Sequence, residues 1–240
     1  MKKFESITAV IPVREGSRRL KNKNIAPFAG TNLLINKINQ LKQVKEITNI
    51  VVSSDSELML AMAKSQGVNT HKRAPEFCDE KSKTFGEVVA HVCENVDGDH
   101  ILWATCTAPL VFPKNYREAI SLYFKALDDG YDSLVSMEKF KRYLWDDNGP
   151  VNYELGIKHV PSQQLPPLYF VTDGILLAPR HKMIEWKYFH GSHPYRYILD
   201  KRTSIDIDDG LDLACARAWL DMDESVSQID PYIVGENSEK

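Results

Sequence analysis

The chain alternates short extended segments with amphipathic segments of helical period. Predicted strands lie at 6–13, 48–53, 68–71 and 100–104. Apolar residues that recur every three or four positions predict helices at 33–44, 57–66, 85–96 and 114–127. Such alternation is typical of a parallel sheet, because the connection between two parallel strands must cross over the sheet. The sequence therefore predicts an α/β fold with a doubly wound, mostly parallel sheet, whose ligands bind beyond the carboxyl ends of the strands.

The second half of the chain is less regular. Residues 131–137 are a predicted strand, and 138–170 form a small excursion from the sheet. Three prolines within 160–167 favour an extended loop over a helix there. With 240 residues, 43% of them hydrophobic, the chain can bury a core as one domain at 1–222, followed by a frayed tail at 223–240.

A cluster of basic residues follows the first predicted strand. Small and amide residues separate its five members, which are Arg14, Arg18, Arg19, Lys21 and Lys23. Backbone N–H groups and cations that converge after a buried strand can enclose a polyphosphate. A solvated surface or a nucleic-acid contact is the alternative interpretation, but a net charge of −3 disfavours general nucleic-acid binding. The loop has neither the Gly-Lys-Ser/Thr end of a Walker loop nor the three glycines of a dinucleotide-binding loop.

Two more polar turns follow predicted strands. Ser53-Ser54-Asp55 comes after the second strand, and Thr105-Cys106-Thr107-Ala108-Pro109 comes after the strand at 100–104. Because the carboxyl ends of parallel strands meet at one edge of a sheet, we expect both turns beside the basic loop.

Two motifs at opposite ends of the chain resemble those of one family. They are Arg14-x-Gly16-Ser17-Arg18-Arg19-x-x-x-Lys23-Asn24-Ile25 and Ser204-Ile205-Asp206-Ile207-Asp208. In this order they resemble the CMP-sugar synthetases, the acylneuraminate cytidylyltransferase family. The resemblance implies a Rossmann-like nucleotidyltransferase that transfers CMP from CTP to an acidic keto-sugar and releases pyrophosphate. It also implies a homodimer in which the excursion at 138–170 contacts the partner; an ordinary surface insertion is the alternative.

The resemblance assigns nucleotide contacts to individual residues. Arg14, Arg18 and Lys23 are the catalytic cations that hold the triphosphate, while Gly16, Ser17 and Asn24 complete the nucleotide loop. Arg19 and Lys21 lie between the matched positions and are interpreted as solvated neighbours. Arg73 and Ser82 border the cytosine and ribose, although Ser82 or Thr84 could instead cap the helix that follows.

Two acidic residues are predicted to hold a metal ion. In an extended segment Asp206 and Asp208 project from one face, and Ile205 and Ile207 point into the core. Paired carboxylate oxygens suit Mg²⁺, and the resemblance favours that role over a solvated strand end. Asp209, by contrast, is interpreted as the N-terminal cap of a helix at 211–220.

Acceptor contacts are predicted at Thr105, Gln163, Gln164 and Asp173. The chain departs from the family here: Thr105 stands where sialic acid enzymes often have glutamine, Ser162 where an arginine is expected, and Asp173 where an asparagine is expected. Because an unmatched buried polar group discriminates strongly between substrates, we expect an acceptor other than plain N-acetylneuraminate. A related nine-carbon keto-acid of pseudaminic or legionaminic type is the hypothesis.

The remaining features set the context and the alternatives. No apolar segment approaches the length of a membrane span and the start of the chain lacks a signal-peptide pattern, so a cytoplasmic protein without membrane partners is expected. Four scattered cysteines favour reduced thiols over a zinc site. The alternatives are an enzyme of this fold that uses another nucleotide or a non-sugar carboxylate or phosphonate acceptor, and a non-catalytic nucleotide-binding module.

Overall fold

A seven-stranded sheet between two groups of helices organises the chain. The computed structural model describes residues 5–17, 19–79 and 81–222. Its strands are β1 (Ile7–Pro12), β2 (Pro27–Phe28), β3 (Thr31–Asn32), β4 (Asn49–Ser54), β5 (Asn69–Lys72), β6 (His100–Trp103), β7 (Ser133–Phe140), β8 (Trp145–Asp146), β9 (Gly149–Pro150), β10 (Leu168–Pro179) and β11 (Pro194–Leu199). Its α-helices are α1 (Leu33–Lys42), α2 (Glu57–Ser65), α3 (Phe85–Glu94), α4 (Pro113–Asp128), α5 (Arg180–Trp186) and α6 (Gly210–Asp221).

The main sheet has the strand order β11-β7-β10-β6-β1-β4-β5. Its neighbours pair in parallel, except that β10 is antiparallel to both β6 and β7. The predicted doubly wound, mostly parallel sheet is thus confirmed. The chain order reverses at β1, because β4 and β5 lie on one side of it and β6 on the other. A crevice between the loops that follow β1 and β6 is the expected ligand position in such a sheet.

Both faces of the sheet are covered. Successive residues of β1 point to opposite sides: Ala9 packs with Leu34 of α1, whereas Val10 joins the cluster of Val89 of α3 and Met183 of α5. This double burial explains why β1 is an unbroken apolar run instead of an alternating one. It also fixes the end of β1, and with it the start of the basic loop.

A bulge interrupts β10 at the edge where the basic loop lies. The pairing with β7 shifts register between Val171 and Leu176. Ser136 of β7 fills the gap, since its hydroxyl donates to the Thr172 carbonyl at 3.1 Å and accepts from the Ile175 N–H at 2.9 Å. Bulges of this kind re-aim a side chain next to a functional site; here the residue re-aimed is Asp173.

Several predicted details can be compared with the structure. Asp209 caps α6, because its carboxylate accepts from the N–H groups of Leu211 and Asp212, as predicted. The excursion contains the β8–β9 hairpin, and its proline-rich part has only a 3₁₀ turn at Ser162–Gln164. The sequence pattern did not predict β10, α5 or β11. The tail at 223–240 lies outside the described residues. Within the described ranges, no helix has both the length and the apolarity needed to cross a bilayer.

Candidate active site

A cleft of about 710 Å³ opens at the carboxyl ends of β1, β5 and β6. The loops after these strands line it, together with the start of α3 and the bulge of β10. Its volume is in the usual range for small-molecule sites. Three segments meet around this one space: the basic loop, the Thr105–Thr107 turn and the acidic segment before α6. Lys23 of the first segment and Asp208 of the last are 185 residues apart in sequence.

The loop after β1 is folded back on itself. Gly16 has a φ of +78°, a left-handed conformation that glycine adopts without strain. Asn24 lies on the 3₁₀ turn Lys23–Ile25 and is 6% exposed; its side chain donates to the Arg14 carbonyl at 3.1 Å and accepts from the Cys106 thiol at 3.4 Å. Asn24 therefore fastens the loop and joins it to the turn after β6. Ser17 lines the cleft.

Cationic side chains line the same end of the cleft. The Arg14 guanidinium donates to the Cys78 carbonyl at 3.2 Å. Lys23 approaches Asp208 with an Nζ–Oδ1 distance of 3.3 Å, and Arg19 contacts the other oxygen of that carboxylate at 2.6 Å. Arg19, predicted to be a solvated neighbour, is therefore a member of the site. Arg18 lies outside the described residues.

Arg73 is buried at the far side of the cleft. Only 5% of it is exposed, and its guanidinium donates to the Val13 carbonyl at the end of β1. Burial lowers the pKa of this group, and the neighbouring Arg14 charge acts in the same direction. Arg73 thus brings a desolvated cation from the end of β5 to the end of β1.

The two hydroxyls that precede α3 have different roles. Thr84 caps α3 in a capping box with Glu87 and also lines the cleft. Ser82 does not line the cleft within the described chain; its hydroxyl donates to Asp79 Oδ2 at 2.8 Å, and Asp79 itself is a cleft residue.

Three carboxylates gather beside the turn after β6: Asp173 and Asp208 line the cleft, and Asp206 lies close to both without lining it in the described chain. Burial first, and then the nearby charges of Asp206 and Asp208, raise the pKa of Asp173 to about 6, while Lys23 opposes them. Burial also raises the pKa of Asp206, against a hydrogen bond from the Thr107 side chain. For Asp208, burial acts upward, but hydrogen bonds from Arg19 and Lys23 outweigh it and lower the pKa. The carboxylates thus form the acidic end of the cleft, and Arg19 and Lys23 of the basic loop reach it through Asp208.

The segment before α6 places the two predicted metal ligands. It is irregular instead of being a strand, yet Ile207 is fully buried and its N–H donates to the Thr107 carbonyl at 2.8 Å. Asp206 Oδ1 is buried and has no hydrogen-bond partner among the described residues. A hard cation would satisfy that oxygen and offset the repulsion between the carboxylates. No group of three or more potential metal ligands was found in the described part of the chain, so the fit rests on this pair.

The predicted acceptor residues fall into two groups. Thr105 and Asp173 line the cleft together, and the Thr105 hydroxyl donates to the Asp173 carbonyl at 2.8 Å. Gln163 and Gln164 are exposed on the 3₁₀ turn of the excursion, where the Gln163 carbonyl accepts from Lys141 at 2.7 Å. They do not belong to the cleft lining of the described chain.

An aromatic wall, which the sequence pattern did not predict, completes the cleft. We define it as Phe85, Trp103 and Phe189, with ring centroids 4.9 Å apart for Phe85–Phe189 and 5.0 Å for Trp103–Phe189. Phe85 keeps 56% of its surface exposed at the first position of α3. The sequence pattern assigns Phe85 to the apolar period of the helix at 85–96, and Phe189 belongs to a region without a predicted element. This wall provides apolar contact for a ligand.

Comparisons with known proteins agree with this geometry. Residues 8–205 match the family model described as Cytidylyltransferase. An N-acylneuraminate cytidylyltransferase of Escherichia coli O18:K1:H7 is 28% identical over 94% of this chain and 54% of its own length. The enzyme of the same name from Streptococcus agalactiae serotype III is 25% identical over 83% and 49%. The chain thus spans about half the length of the curated relatives it matches.

A solved structure shows the same fold. A CMP:2-keto-3-deoxy-manno-octonic acid synthetase complexed with CTP superposes with a TM-score of 0.66 at 12% identity, covering 90% of this chain and 98% of that one. Cytidylyltransferases generally use a divalent metal ion, with which the acidic end of the cleft is compatible. The match at 8–205 covers most of the chain, from β1 to the residue before Asp206, and the protein belongs to the cytidylyltransferase family.

Proposed function

We propose that the protein transfers CMP from CTP to an acidic keto-sugar and releases pyrophosphate. The observation that carries this proposal is the meeting of the basic loop and the acidic segment in one cleft, with Lys23 3.3 Å from Asp208. The family supports it, as do relatives named for N-acylneuraminate. The chemistry is in-line attack of an acceptor hydroxyl on the α-phosphorus, so the site must hold three phosphates and orient the nucleophile.

The basic loop supplies the charge for the triphosphate. Arg14 and Lys23 line the cleft, and the sequence motif adds Arg18 to them. These cations offset the charge that develops as pyrophosphate leaves. Asn24 keeps the loop in place through its hydrogen bond to the Arg14 carbonyl, and Gly16 and Ser17 allow the backbone to approach the phosphates.

Asp206 and Asp208 would hold Mg²⁺. When bound, the ion adds positive charge at the phosphate oxygens and satisfies the unpartnered Asp206 Oδ1. Asp208 is shared between Arg19 and Lys23 in the structure described here. If Asp208 held the metal, Arg19 and Lys23 would be free to contact the phosphates.

Base and acceptor bind at opposite ends of the cleft. Arg73 borders the cytosine, and Ser82 acts on that side through its hydrogen bond to Asp79. Thr105 and Asp173 face the acceptor, with the aromatic wall beside them.

The excursion fits a homodimer. Several of its apolar side chains are exposed, including Trp145 at 62%, Leu155 at 62% and Ile157 at 104%. Burial of these residues against a second copy would bring Gln163 and Gln164 toward the acceptor site of that copy, which is their proposed place. The nine-carbon keto-acids of pseudaminic or legionaminic type remain the proposed acceptors.

The test is pyrophosphate release from CTP and Mg²⁺ with a panel of keto-acid sugars, with carboxylate and phosphonate acceptors alongside. CTP should displace a bound fluorescent nucleotide better than ATP, GTP or UTP. Arg14→Met should lower the rate about 10²- to 10³-fold. Arg117→Met is the matched control, since Arg117 is exposed on α4 and donates to the Gln43 carbonyl outside the cleft. No release with any acceptor, together with no preference for CTP, would contradict the proposal.

A further inference from the structure

Three polar side chains on one face of α1 converge on a single turn. Lys37 Nζ donates to the Ala108 carbonyl at 2.8 Å, and Gln40 Nε2 donates to the Pro109 carbonyl at 2.7 Å. Asn36 adds a longer contact of 3.5 Å to Pro109. These carbonyls directly follow the part of the turn that lines the cleft, so α1 holds that turn from behind.

Lys37 makes a second contact that leads to the bulge of β10. Its Nζ lies 2.7 Å from the Tyr116 hydroxyl on α4, and this hydroxyl donates to the Gly174 carbonyl at 3.3 Å. Both side chains are fully buried. Position 174 favours glycine, because a Cβ there would lie only 2.8 Å from Val111 Cγ2. A buried relay therefore runs from α1 through α4 to the residue next to Asp173.

The lysine acts in this relay as a hydrogen-bond donor and not as half of an ion pair. No carboxylate lies within ion-pair distance of Lys37 in the described chain, and burial lowers its pKa to about 7. A neutral amine has two N–H groups, and the two acceptors are the Ala108 carbonyl and the Tyr116 hydroxyl. Burying a polar nitrogen is costly, and an apolar residue of equal length would fill this space without that cost. Core packing alone does not explain the lysine.

The turn and the bulge that the relay connects both carry cleft residues. The Thr105 hydroxyl donates to the Asp173 carbonyl at 2.8 Å, and the Thr107 carbonyl accepts from the Ile207 N–H at 2.8 Å. The Thr107 side chain also hydrogen-bonds Asp206. A shift of the turn would therefore move the acidic end of the cleft.

We propose that Lys37 and Tyr116 are positioning residues that set the acceptor end of the cleft, by fixing the turn after β6 against the bulge of β10. The inference rests on the proposed function and deepens it. None of the hydrogen bonds of the relay involves Arg14 or Arg73, and the turn meets the nucleotide loop through the Cys106–Asn24 contact at 3.4 Å. We therefore expect the acceptor end to change much more than the nucleotide end.

Hydrogen exchange tests the positioning without any substrate. In Lys37→Met, the Ile207 amide should exchange at least about tenfold faster, because its acceptor Thr107 is no longer held. The Ala104 amide, which donates to the Val10 carbonyl at 2.9 Å, is the internal reference. Lys42→Met is the matched control, an exposed lysine on the same helix that contacts Gln66. Unchanged exchange at Ile207 in Lys37→Met would overturn the inference, whether or not the protein transfers CMP to a keto-sugar.

Kinetics separates positioning from a general structural role. With the acceptor turned over fastest by the wild type, Lys37→Met and Tyr116→Phe should each raise the acceptor KM or lower kcat by about 10- to 100-fold, while the Kd for CTP stays within about twofold. Tyr116→Phe removes a single oxygen and covers the case in which the methionine variant fails to fold. If both act in one relay, the double variant should cost no more than the worse single variant. Full additivity, or an equal loss of CTP affinity, would overturn the proposal.

Discussion

The buried Lys37 makes the stability of the protein depend on pH in a defined direction. Its pKa is about 7 in the folded protein and 10.5 when unfolded. Between these values the unfolded chain binds one more proton than the folded chain, so the free energy of unfolding rises with pH. Below about pH 7 Lys37 is protonated in both states, so it no longer changes the free energy of unfolding with pH. The free-energy cost of burying the charged amine is then fully present.

The magnitude follows from the size of the pKa shift. Each pKa unit corresponds to about 1.4 kcal/mol, and because Lys37 is half protonated at pH 7, its contribution between pH 7 and pH 9 is about 2 kcal/mol. Lys37→Met removes this titration and leaves every other group in place. The hydrogen bonds that the variant also loses shift its stability by an amount that is the same at each pH.

Urea unfolding at pH 6, 7, 8 and 9 measures the effect. The free energy of unfolding of the wild type minus that of Lys37→Met should be nearly flat from pH 6 to 7 and then rise by about 2 kcal/mol up to pH 9. Cys106 and Tyr116 face the amine, but burial raises the pKa of both thiol and phenol, so neither charges in this range. A difference that stays constant or falls above pH 7 would refute a neutral buried lysine. Lys42→Met should follow the wild type throughout.

Three further substitutions test other parts of the structure. Gly174→Ala should destabilise the protein by about 1–3 kcal/mol in urea unfolding, because the new Cβ would lie 2.8 Å from Val111 Cγ2; a neutral result would show that the bulge yields easily. Asp208→Asn should weaken Mn²⁺ binding, followed by electron paramagnetic resonance with CTP present, by at least about tenfold, and equal affinity would remove Asp208 from the metal site. Thr84→Ala should lower thermal stability by about 1 kcal/mol through loss of the α3 capping box, whereas Ser82→Ala should cost less.

Many elements of the fold could be predicted from local sequence patterns. The apolar run of β1 and the capping residue Asp209 could be interpreted correctly because each depends on neighbours within a few positions. The same holds for the helices α1 to α4, whose apolar period is set by one buried face.

Features that depend on distant partners could not be predicted. The bulge of β10 requires Ser136, and Ile207 is held by Thr107 across the cleft. Lys37 has a side chain that usually faces solvent, and only the packing of α1 on α4 shows that it is buried. Arg19 was predicted to be solvated, and its side chain is indeed 68% exposed, yet it contacts Asp208. The position of Arg14 and Lys23 at the carboxyl edge of the sheet followed from the predicted topology, whereas Asp208 was expected beside them because of the family resemblance. The roles of all three stay predictions.

The twelve residues of β10 link the excursion to the interior of the protein. Phe170 and Val171 lie on the exposed half of the strand, and the buried half begins just beyond Asp173. A residue inserted between Leu168 and Asp173 would move every side chain between the insertion and the bulge to the opposite face of the sheet. In this chain, a change in the length of the excursion is therefore compatible with the register of β10 only within 141–167.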